Sequence, residues 1–349
     1  MKEVFVFGAG ASYASADIPL GERLGWEYYF TCFDMHEISV NGTPVLDKET
    51  VEFNNFRHFL ELCETIFPEL KGIAERWERD RRENISNTPW PSYANKKYFV
   101  DHIAEILFKK SDPAGVELIR QIVLEHIATV TINNEEYQTK NLYCQFMTHQ
   151  LKRPYVDFSI IDFNFDTLLM LENKGNGFPL DYVIKFDKKT PFSSLSEKKI
   201  PVFKLHGSLD WAFCPVCKRI EWLRPFVKKQ TYENSFCKIN PNCSGKLKPL
   251  IFLPYESMND DLIALLRQEA TKKLQEADKI TIIGYSFPGY DLEERDLFRN
   301  NIKSSILLEL VDVLPKEEIL RKYKNIFPGV DNVKVFSNGF EGYIKNNCG

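Results

Sequence analysis

The sequence predicts an α/β protein built around a parallel sheet. Short apolar segments recur along the chain and alternate with segments of helical periodicity, which is the pattern of βαβ units. A glycine turn directly follows the first apolar segment, and polar residues follow several of the others. We therefore expect a Rossmann-like parallel sheet that binds its ligand at the carboxyl ends of the strands, with a large helical insertion and a small cysteine-rich module.

Seven apolar segments have the length and the β-branched or aromatic content of buried strands. They span residues 3–8, 156–161, 201–205, 250–253, 280–283, 306–311 and 333–336. From about residue 20 to residue 153 the apolar residues instead recur at three- and four-residue spacing, which predicts helices. The predicted helices span 51–67, 98–110, 115–128 and 142–152, and one hairpin pairs 38–40 with 44–46 around Asn41-Gly42.

This order of elements predicts three parts. Residues 1–23 and 154–349 form the Rossmann-like domain, and residues 24–153 form the helical insertion. Residues 211–250 form a smaller module inserted in the Rossmann-like domain.

The composition excludes several classes of protein. The chain has 349 residues, of which 44% are hydrophobic, which is enough for about two domains of ~150 residues each. Its formal net charge of −4 lacks the basic bias of nucleic-acid-binding proteins, so we predict no direct nucleic-acid contact. The sequence contains no apolar run of about 18 residues for a membrane span, and Met1–Glu3 leads into a strand rather than a signal peptide. These features predict a cytoplasmic protein that does not insert into a membrane.

The turn Gly8–Ser12 is a candidate phosphate-binding loop. Its glycines let backbone amides approach a pyrophosphate closely, and the helix that starts behind them favours negative charge. The spacing is GxGxS rather than GxGxxG, so a simple tight turn between a strand and a helix explains it equally well. Downstream, the segment Asp17–Gly21 contains Pro19 and Gly21, and a proline and a glycine here indicate a second shaped loop over the same pocket.

Polar residues follow four later predicted strands. Asn164 and Asp166 follow the second strand, and His206 follows the third. A carboxamide and a carboxylate at one strand end can orient a ribose or a water beside a histidine base, although a lone histidine is more often structural. Gly284 to Ser286 form another glycine turn, and Asp312 can accept hydrogen bonds from a ribose or cap a helix.

Four clustered cysteines predict a structural metal site. Two residues separate Cys214 from Cys217, nineteen separate Cys217 from Cys237, and five separate Cys237 from Cys243. This is close to the spacing of a zinc ribbon, in which four thiolates close a tetrahedral site and leave no position for chemistry. The inserted module is therefore predicted to be a small zinc-ribbon module, and the alternative is four unrelated cysteines in a loop.

Taken together, these motifs resemble the sirtuin family. Sirtuins carry, in this order, GAGxS in the first turn, Asn and Asp two residues apart, a His-Gly dipeptide, a four-cysteine zinc module and a Gly-x-Ser turn. This chain has all five in the same order, over residues 1–23 and 156–337. The resemblance implies that the protein binds NAD as a substrate, with chemistry at the nicotinamide–ribose bond.

The resemblance also implies which residues form the site. Asn164 positions a water or stabilises the ribosyl cation, His206 acts as general base or holds the ribose 3′-hydroxyl, and Asp166 orients the site. The implied NAD-binding residues are Gly8, Ala9, Gly10, Ala11, Ser12, Asp17, Pro19, Gly284, Ser286 and Asp312.

Three departures distinguish this chain from the sirtuin protein deacylases. In the segment Ala16–Arg23, the arginine that deacylases carry shortly after the first turn is missing from its usual place. Pro254 lies in the segment that corresponds to the peptide-pairing strand, where a proline removes a backbone donor. The helical insertion and the sequence of residues 205–211 instead resemble sirtuin-like effectors of bacterial antiviral defence, which hydrolyse NAD.

The sequence is therefore interpreted as that of an NAD glycohydrolase, an effector in bacterial anti-phage defence. One alternative is an NAD-dependent protein deacylase or ADP-ribosyltransferase, and a second is a non-catalytic sensor subunit that binds NAD or ADP-ribose. The resemblance further implies a homo-oligomer and a partner ATPase or another activating subunit.

Overall fold

A parallel sheet forms the main layer of the protein. The computed structural model describes residues 1–16, 39–40, 43–44, 51–82, 100–132, 141–154, 157–170, 178–184, 199–222, 236–237, 242–253, 256 and 261–347. Within these residues the strands are β1 (Lys2–Phe7), β2 (Ser39–Val40), β3 (Thr43–Pro44), β4 (Asp157–Asp162), β5 (Leu180–Asp181), β6 (Ile200–Lys204), β7 (Gly207–Phe213), β8 (Ile220–Trp222), β9 (Lys248–Ile251), β10 (Lys279–Ile283), β11 (Leu307–Val311) and β12 (Val333–Phe336).

Helices form in the four segments where the periodicity predicts them, and further helices occur in the second half of the chain. In the same described residues they are α1 (Ala9–Ala16), α2 (Val51–Ile66), α3 (Ile73–Arg82), α4 (Val100–Lys109), α5 (Pro113–Ile132), α6 (Leu142–Lys152), α7 (Asp261–Glu276), α8 (Leu292–Asn301), α9 (Lys316–Lys324) and α10 (Gly339–Asn347). Two one-turn 3₁₀ helices span Pro68–Leu70 and Leu168–Met170. None of these helices is long and apolar enough to cross a bilayer.

The main sheet has the order β12-β11-β10-β1-β4-β6-β5 within the described residues, and each neighbouring pair is parallel. The chain leaves β1 towards β4 and leaves β10 towards β11, so the direction of the connections reverses between β1 and β10. Open parallel sheets bind ligands beyond the carboxyl ends of the strands at such a reversal. The predicted Rossmann-like α/β fold is confirmed.

One predicted strand lies outside the main sheet. Residues 250–253 were expected to be a strand of the parallel sheet, but β9 pairs antiparallel with β7, which in turn pairs with β8. The apolar pattern is the same in both settings, because β9 also buries Leu250 and Ile251. The hairpin is present as β2 and β3, with Ser39 opposite Pro44, and its turn residues 41–42 lie outside the described residues.

The chain divides into two compact units. The first comprises residues 1–18, 128–252 and 257–349 and contains the main sheet, and the second comprises residues 19–127 and 253–256. This division differs from the predicted insertion of residues 24–153, because α6 belongs to the unit that contains the sheet.

Aromatic packing explains why α6 belongs with the sheet. The ring of Phe146 lies 4.8 Å from that of Phe5 on β1, and the ring of Tyr143 lies 4.9 Å from that of Phe7. Arg153, just beyond the helix, donates hydrogen bonds of 2.8 and 2.7 Å to the carboxylate of Glu3. Burial of such aromatic side chains removes ~150–250 Å² of surface each, so α6 is anchored directly on β1.

Candidate active site

The turns after β1 and β10 are in backbone contact where the direction of the connections reverses. The amide of Gly8 donates to Ile283 O at 3.0 Å, and the amide of Gly10 donates to Gly284 O at 2.9 Å. A Cβ on Gly8 would lie 2.5 Å from Tyr285 Cα, and a Cβ on Gly284, whose φ is +63°, would lie 2.4 Å from Ala11 N. The glycines are therefore required by the contact between the two turns.

That contact alters the interpretation of the first turn. The amides of Gly10 and Ala11 already have backbone acceptors, Gly284 O and Gly8 O, so neither is among the donors available to a phosphate. The turn leads into α1 at Ala9, and the amino end of a helix favours an anion. Pyrophosphate binding at Gly8–Ser12 stays a prediction, and the amides of Gly10 and Ala11 are not its source of donors.

Asn164 is held by groups from two elements. Its Nδ2 donates to the carbonyl oxygen of Gly8 and to the hydroxyl of Tyr143, each at 3.1 Å. The Tyr143 hydroxyl in turn lies 3.0 Å from Ser12 Oγ. All of these side chains are buried. Asn164 and the first turn, two predicted parts of the site, are thus joined through one tyrosine of α6.

This network determines which way the carboxamide of Asn164 faces. A backbone carbonyl can only accept, so the group that contacts Gly8 O must be the NH₂ group. Burial raises the pKa of Tyr143 well above its usual value, so its phenol keeps its proton and can donate to Ser12. The Oδ1 atom of Asn164 has no hydrogen-bond partner among the described residues. That oxygen is therefore the atom with which Asn164 can accept from a ligand.

A buried lysine holds the loop that carries Asn164. Lys204 Nζ at the end of β6 donates to Asp162 Oδ2 at 2.9 Å, to Asn164 O at 2.7 Å and to Asp166 O at 2.9 Å. Burial raises the pKa of Asp162 and the charge of Lys204 opposes that rise. Three acceptors satisfy all three protons of the ammonium, so the loop after β4 is fixed from the neighbouring strand.

Asp166 has a local partner. Its Oδ1 accepts from the amide of Leu168 at 3.0 Å, at the start of the one-turn helix 168–170. The side chain therefore shapes the end of the Asn164 loop. Its predicted part in orienting a substrate stays a prediction.

His206 lies between β6 and β7, one strand away from Asn164. Its ring centroid is 5.1 Å from that of Phe163 and 6.3 Å from that of Phe165, the two residues that flank Asn164. Its Nε2 is 3.5 Å from Glu294 Oε1 on α8. Burial is the largest single influence on the pKa of His206 and lowers it, but Glu294 and Asp291 together outweigh burial, so the pKa is raised overall.

Gly207 explains why the chain can turn directly after His206. Its φ is +82°, and a Cβ at this position would lie 2.1 Å from the carbonyl oxygen of Leu250 on β9. The amide of Phe252 donates to His206 O at 2.9 Å. The backbone of His206 is therefore clamped to the small sheet while its side chain lies against Phe163.

The remaining predicted NAD-binding residues differ in their surroundings. Ser286 is exposed beside the second glycine turn. The carboxylate of Asp312 accepts from Val313 N at 2.7 Å and from Lys322 Nζ at 3.1 Å, so it is already engaged within its own loop and α9. The N-cap of helix α9 is Pro315, so Asp312 does not cap this helix. Asp17 and Pro19 lie outside the described residues.

The four cysteines converge beside β7. The Sγ atoms of Cys214 and Cys243 are 3.5 Å apart, as are those of Cys217 and Cys237, and all four lie within 4.8 Å of one another. Zinc–sulfur bonds of ~2.3 Å place tetrahedral sulfurs about 3.8 Å apart, so the cluster fits a structural zinc. The site leaves no open position, and its metal serves the fold of this small sheet.

Three side chains of the site were not identified in the sequence. Tyr143 lies in a helix, where its spacing marks it only as a core residue. Lys204 lies inside an apolar strand, and Glu294 lies in a charged helical segment that is typical of a solvated surface. Of these three, only Lys204 could have been noticed in the sequence, because a charged side chain within a buried strand requires partners.

Comparison of this chain with known proteins finds similar solved structures. No protein-family model and no curated protein matches the sequence. A Sir2 homologue mutant in complex with 2′-O-acetyl ADP ribose is 14% identical, with a TM-score of 0.47 over 99% of this chain and 90% of that chain. A Sir2 homologue mutant in complex with ADP ribose is 15% identical, with a TM-score of 0.44 over 99% and 90%. A Sir2 homologue in complex with NAD is 15% identical, with a TM-score of 0.41 over 72% and 77%.

Proposed function

We propose that this protein is an NAD glycohydrolase that cleaves the nicotinamide–ribose bond. The observation that carries the proposal is the Asn164 carboxamide, fixed by Gly8 and Tyr143 with its oxygen available, at the carboxyl edge of the sheet. His206 follows the neighbouring strand and is paired with a buried carboxylate. The ordered resemblance to the sirtuin motifs supports NAD as the ligand of this edge.

The adenosine and pyrophosphate of NAD are assigned to the turns after β1 and β10. The start of α1 supplies the positive end of a helix dipole, which stabilises a phosphate by ~0.3–1 kcal/mol at an exposed site. The nicotinamide ribose then extends towards β4 and β6, whose ends carry Asn164 and His206. Ser286 borders the adenosine side.

Hydrolysis requires a water, a base and stabilisation of a cationic ribose. The bond from C1′ to the pyridinium nitrogen breaks, and its electron pair leaves with neutral nicotinamide. Asn164 Oδ1 stabilises the positive charge that develops on the ribose or accepts from the attacking water. The water oxygen bonds to C1′, and His206 accepts its proton. The products are nicotinamide, ADP-ribose and one proton.

Alanine variants test the two central residues. Asn164→Ala and His206→Ala should each lower nicotinamide release at least 100-fold, the usual range for removing a base or an electrostatic stabiliser. Asn332→Ala, the same change at an exposed residue before β12, should retain the rate of the original protein. Circular dichroism and thermal unfolding establish that the variants are folded. Full NAD consumption by either active-site variant would contradict the proposal.

We further propose that the enzyme works as a homo-oligomeric effector of bacterial antiviral defence, together with a partner ATPase or another activating subunit. The resemblance of the insertion and of residues 205–211 to such effectors supports this role. The rate of nicotinamide release per chain should therefore increase with protein concentration, in step with the oligomer mass measured by light scattering. A monomer with full activity would contradict this part of the proposal.

A further inference from the structure

A buried ion-pair cluster lies against His206. Glu294 on α8 approaches His206 Nε2 at 3.5 Å and also contacts the guanidinium of Arg267 from α7. The side chain of Glu294 is only 2% exposed and that of His206 only 12%. An anion this deeply buried requires charged partners, and His206 and Arg267 supply them.

Asp291 completes the charged surroundings of His206. Its Oδ2 accepts from the Tyr285 hydroxyl at 2.5 Å, and burial raises its pKa. Among the described residues, the charged groups that face His206 are thus Asp291 at the N-cap of α8, Glu294 on α8 and Arg267 on α7.

The ligand atoms of His206, Asp291 and Glu294 lie within 4.8 Å of one another, close enough for a cation. The guanidinium of Arg267, however, already pairs with the carboxylate of Glu294 and supplies the positive charge there. The cluster is therefore better described as an ion-pair network than as a metal site.

We propose that Glu294 is a positioning residue that holds the proton of His206 on Nε2 and leaves Nδ1 as the basic atom. The inference rests on the proposed hydrolysis, in which His206 accepts a proton from water. Neither ring nitrogen of His206 makes a hydrogen bond of full geometry among the described residues, but Nε2 is buried and lies 3.5 Å from the Glu294 carboxylate, so Nε2 is the atom that can donate to it. A carboxylate that selects the tautomer and orientation of a catalytic histidine is a recurrent arrangement, and its bonds often shorten only when substrate binds.

The arrangement predicts opposite effects of two substitutions on the pKa of His206. Glu294 stabilises the charged imidazolium, so Glu294→Gln should lower that pKa. Arg267 opposes that charge, so Arg267→Gln should raise it. The base must be neutral to act, so the acidic limb of the activity profile should move to lower pH in the first variant and to higher pH in the second.

Nuclear magnetic resonance titration of the His206 ring protons, assigned with His206→Gln, measures the pKa without reference to activity. We expect a decrease of about one pH unit in Glu294→Gln and an increase in Arg267→Gln. Asp296→Asn, the same loss of charge at an exposed position of α8, should leave the titration unchanged. The rate of NAD consumption should fall at least tenfold in Glu294→Gln even at the pH where His206 is neutral, because orientation is lost.

An unchanged His206 pKa in both variants would overturn the inference while leaving NAD hydrolysis by the original protein intact. If Glu294→Gln does not fold, Arg267→Gln decides the matter alone, because a pKa that stays constant or falls in that variant would overturn the inference. Absence of NAD consumption by the original protein would instead overturn the proposed function, whatever the titration shows.

Discussion

At the scale of single residues, the position of Asn164 depends on one phenol hydroxyl. Tyr143 accepts from Asn164 Nδ2 and contacts Ser12, and its ring packs on Phe7. Tyr143→Phe keeps the ring and removes the acceptor, so Asn164 loses one of its two anchors. We expect kcat/KM for NAD to fall about tenfold, equivalent to ~1.4 kcal/mol, and the free energy of unfolding to fall by ~1 kcal/mol.

The matched control for this variant is Tyr343→Phe. Tyr343 is also a buried tyrosine, and its hydroxyl donates to Glu309 on β11 at 3.0 Å rather than contacting Asn164. It should lose a similar amount of stability and keep its activity. Equal losses of activity in the two variants would mean that Tyr143 acts only through stability.

The candidate residues at strand ends could be predicted because strand ends are visible in a sequence. Asn164 and His206 each follow an apolar segment, and parallel strands bring such positions to one edge. Tyr143 and Glu294 could not be predicted, because they reach the site from helices and their contacts depend on how those helices pack. The sequence also could not show why glycine is needed at positions 8 and 10. Their close neighbour is Gly284, which is more than 270 residues away in the chain.

At the scale of elements, the small sheet depends on its cysteines. Cys237→Ser removes one thiolate, and structural zinc contributes on the order of 10 kcal/mol to the folding of small modules. We expect zinc to fall from one ion per chain to far below one, and residues 211–250 to become sensitive to protease. Elemental analysis and limited proteolysis measure these changes.

Cys63→Ser provides the comparison, because Cys63 is buried outside the cluster. Its zinc content should stay at one ion per chain. Absence of zinc from the original protein, purified without chelators, would contradict the metal assignment.

The zinc module was predicted only in part from the sequence. The cysteine spacing was enough to identify the cluster, but residues 250–253 were assigned to the wrong sheet. An apolar strand looks alike whether its partners are parallel or antiparallel, and only the pairing of β9 with β7 distinguishes the two cases.

At the scale of the whole molecule, the sheet order brings the candidate residues together. Strand β1 lies between β10 and β4, and β6 follows β4, so the two glycine turns, Asn164 and His206 follow four successive strands along one edge. The α/β class followed from the alternation of strands and helices. The order of the strands and the place of α6 in the first unit did not, because both depend on long-range packing.

The most direct measurement of the central claim is a product analysis of NAD incubated with the purified protein and no acyl or other acceptor. Chromatography should show nicotinamide and free ADP-ribose formed in equal amounts, and neither formed by the Asn164→Ala variant. Release of nicotinamide only when an acetyl-lysine peptide is present, transfer of ADP-ribose onto protein, or binding of NAD without any loss of it would contradict the claim.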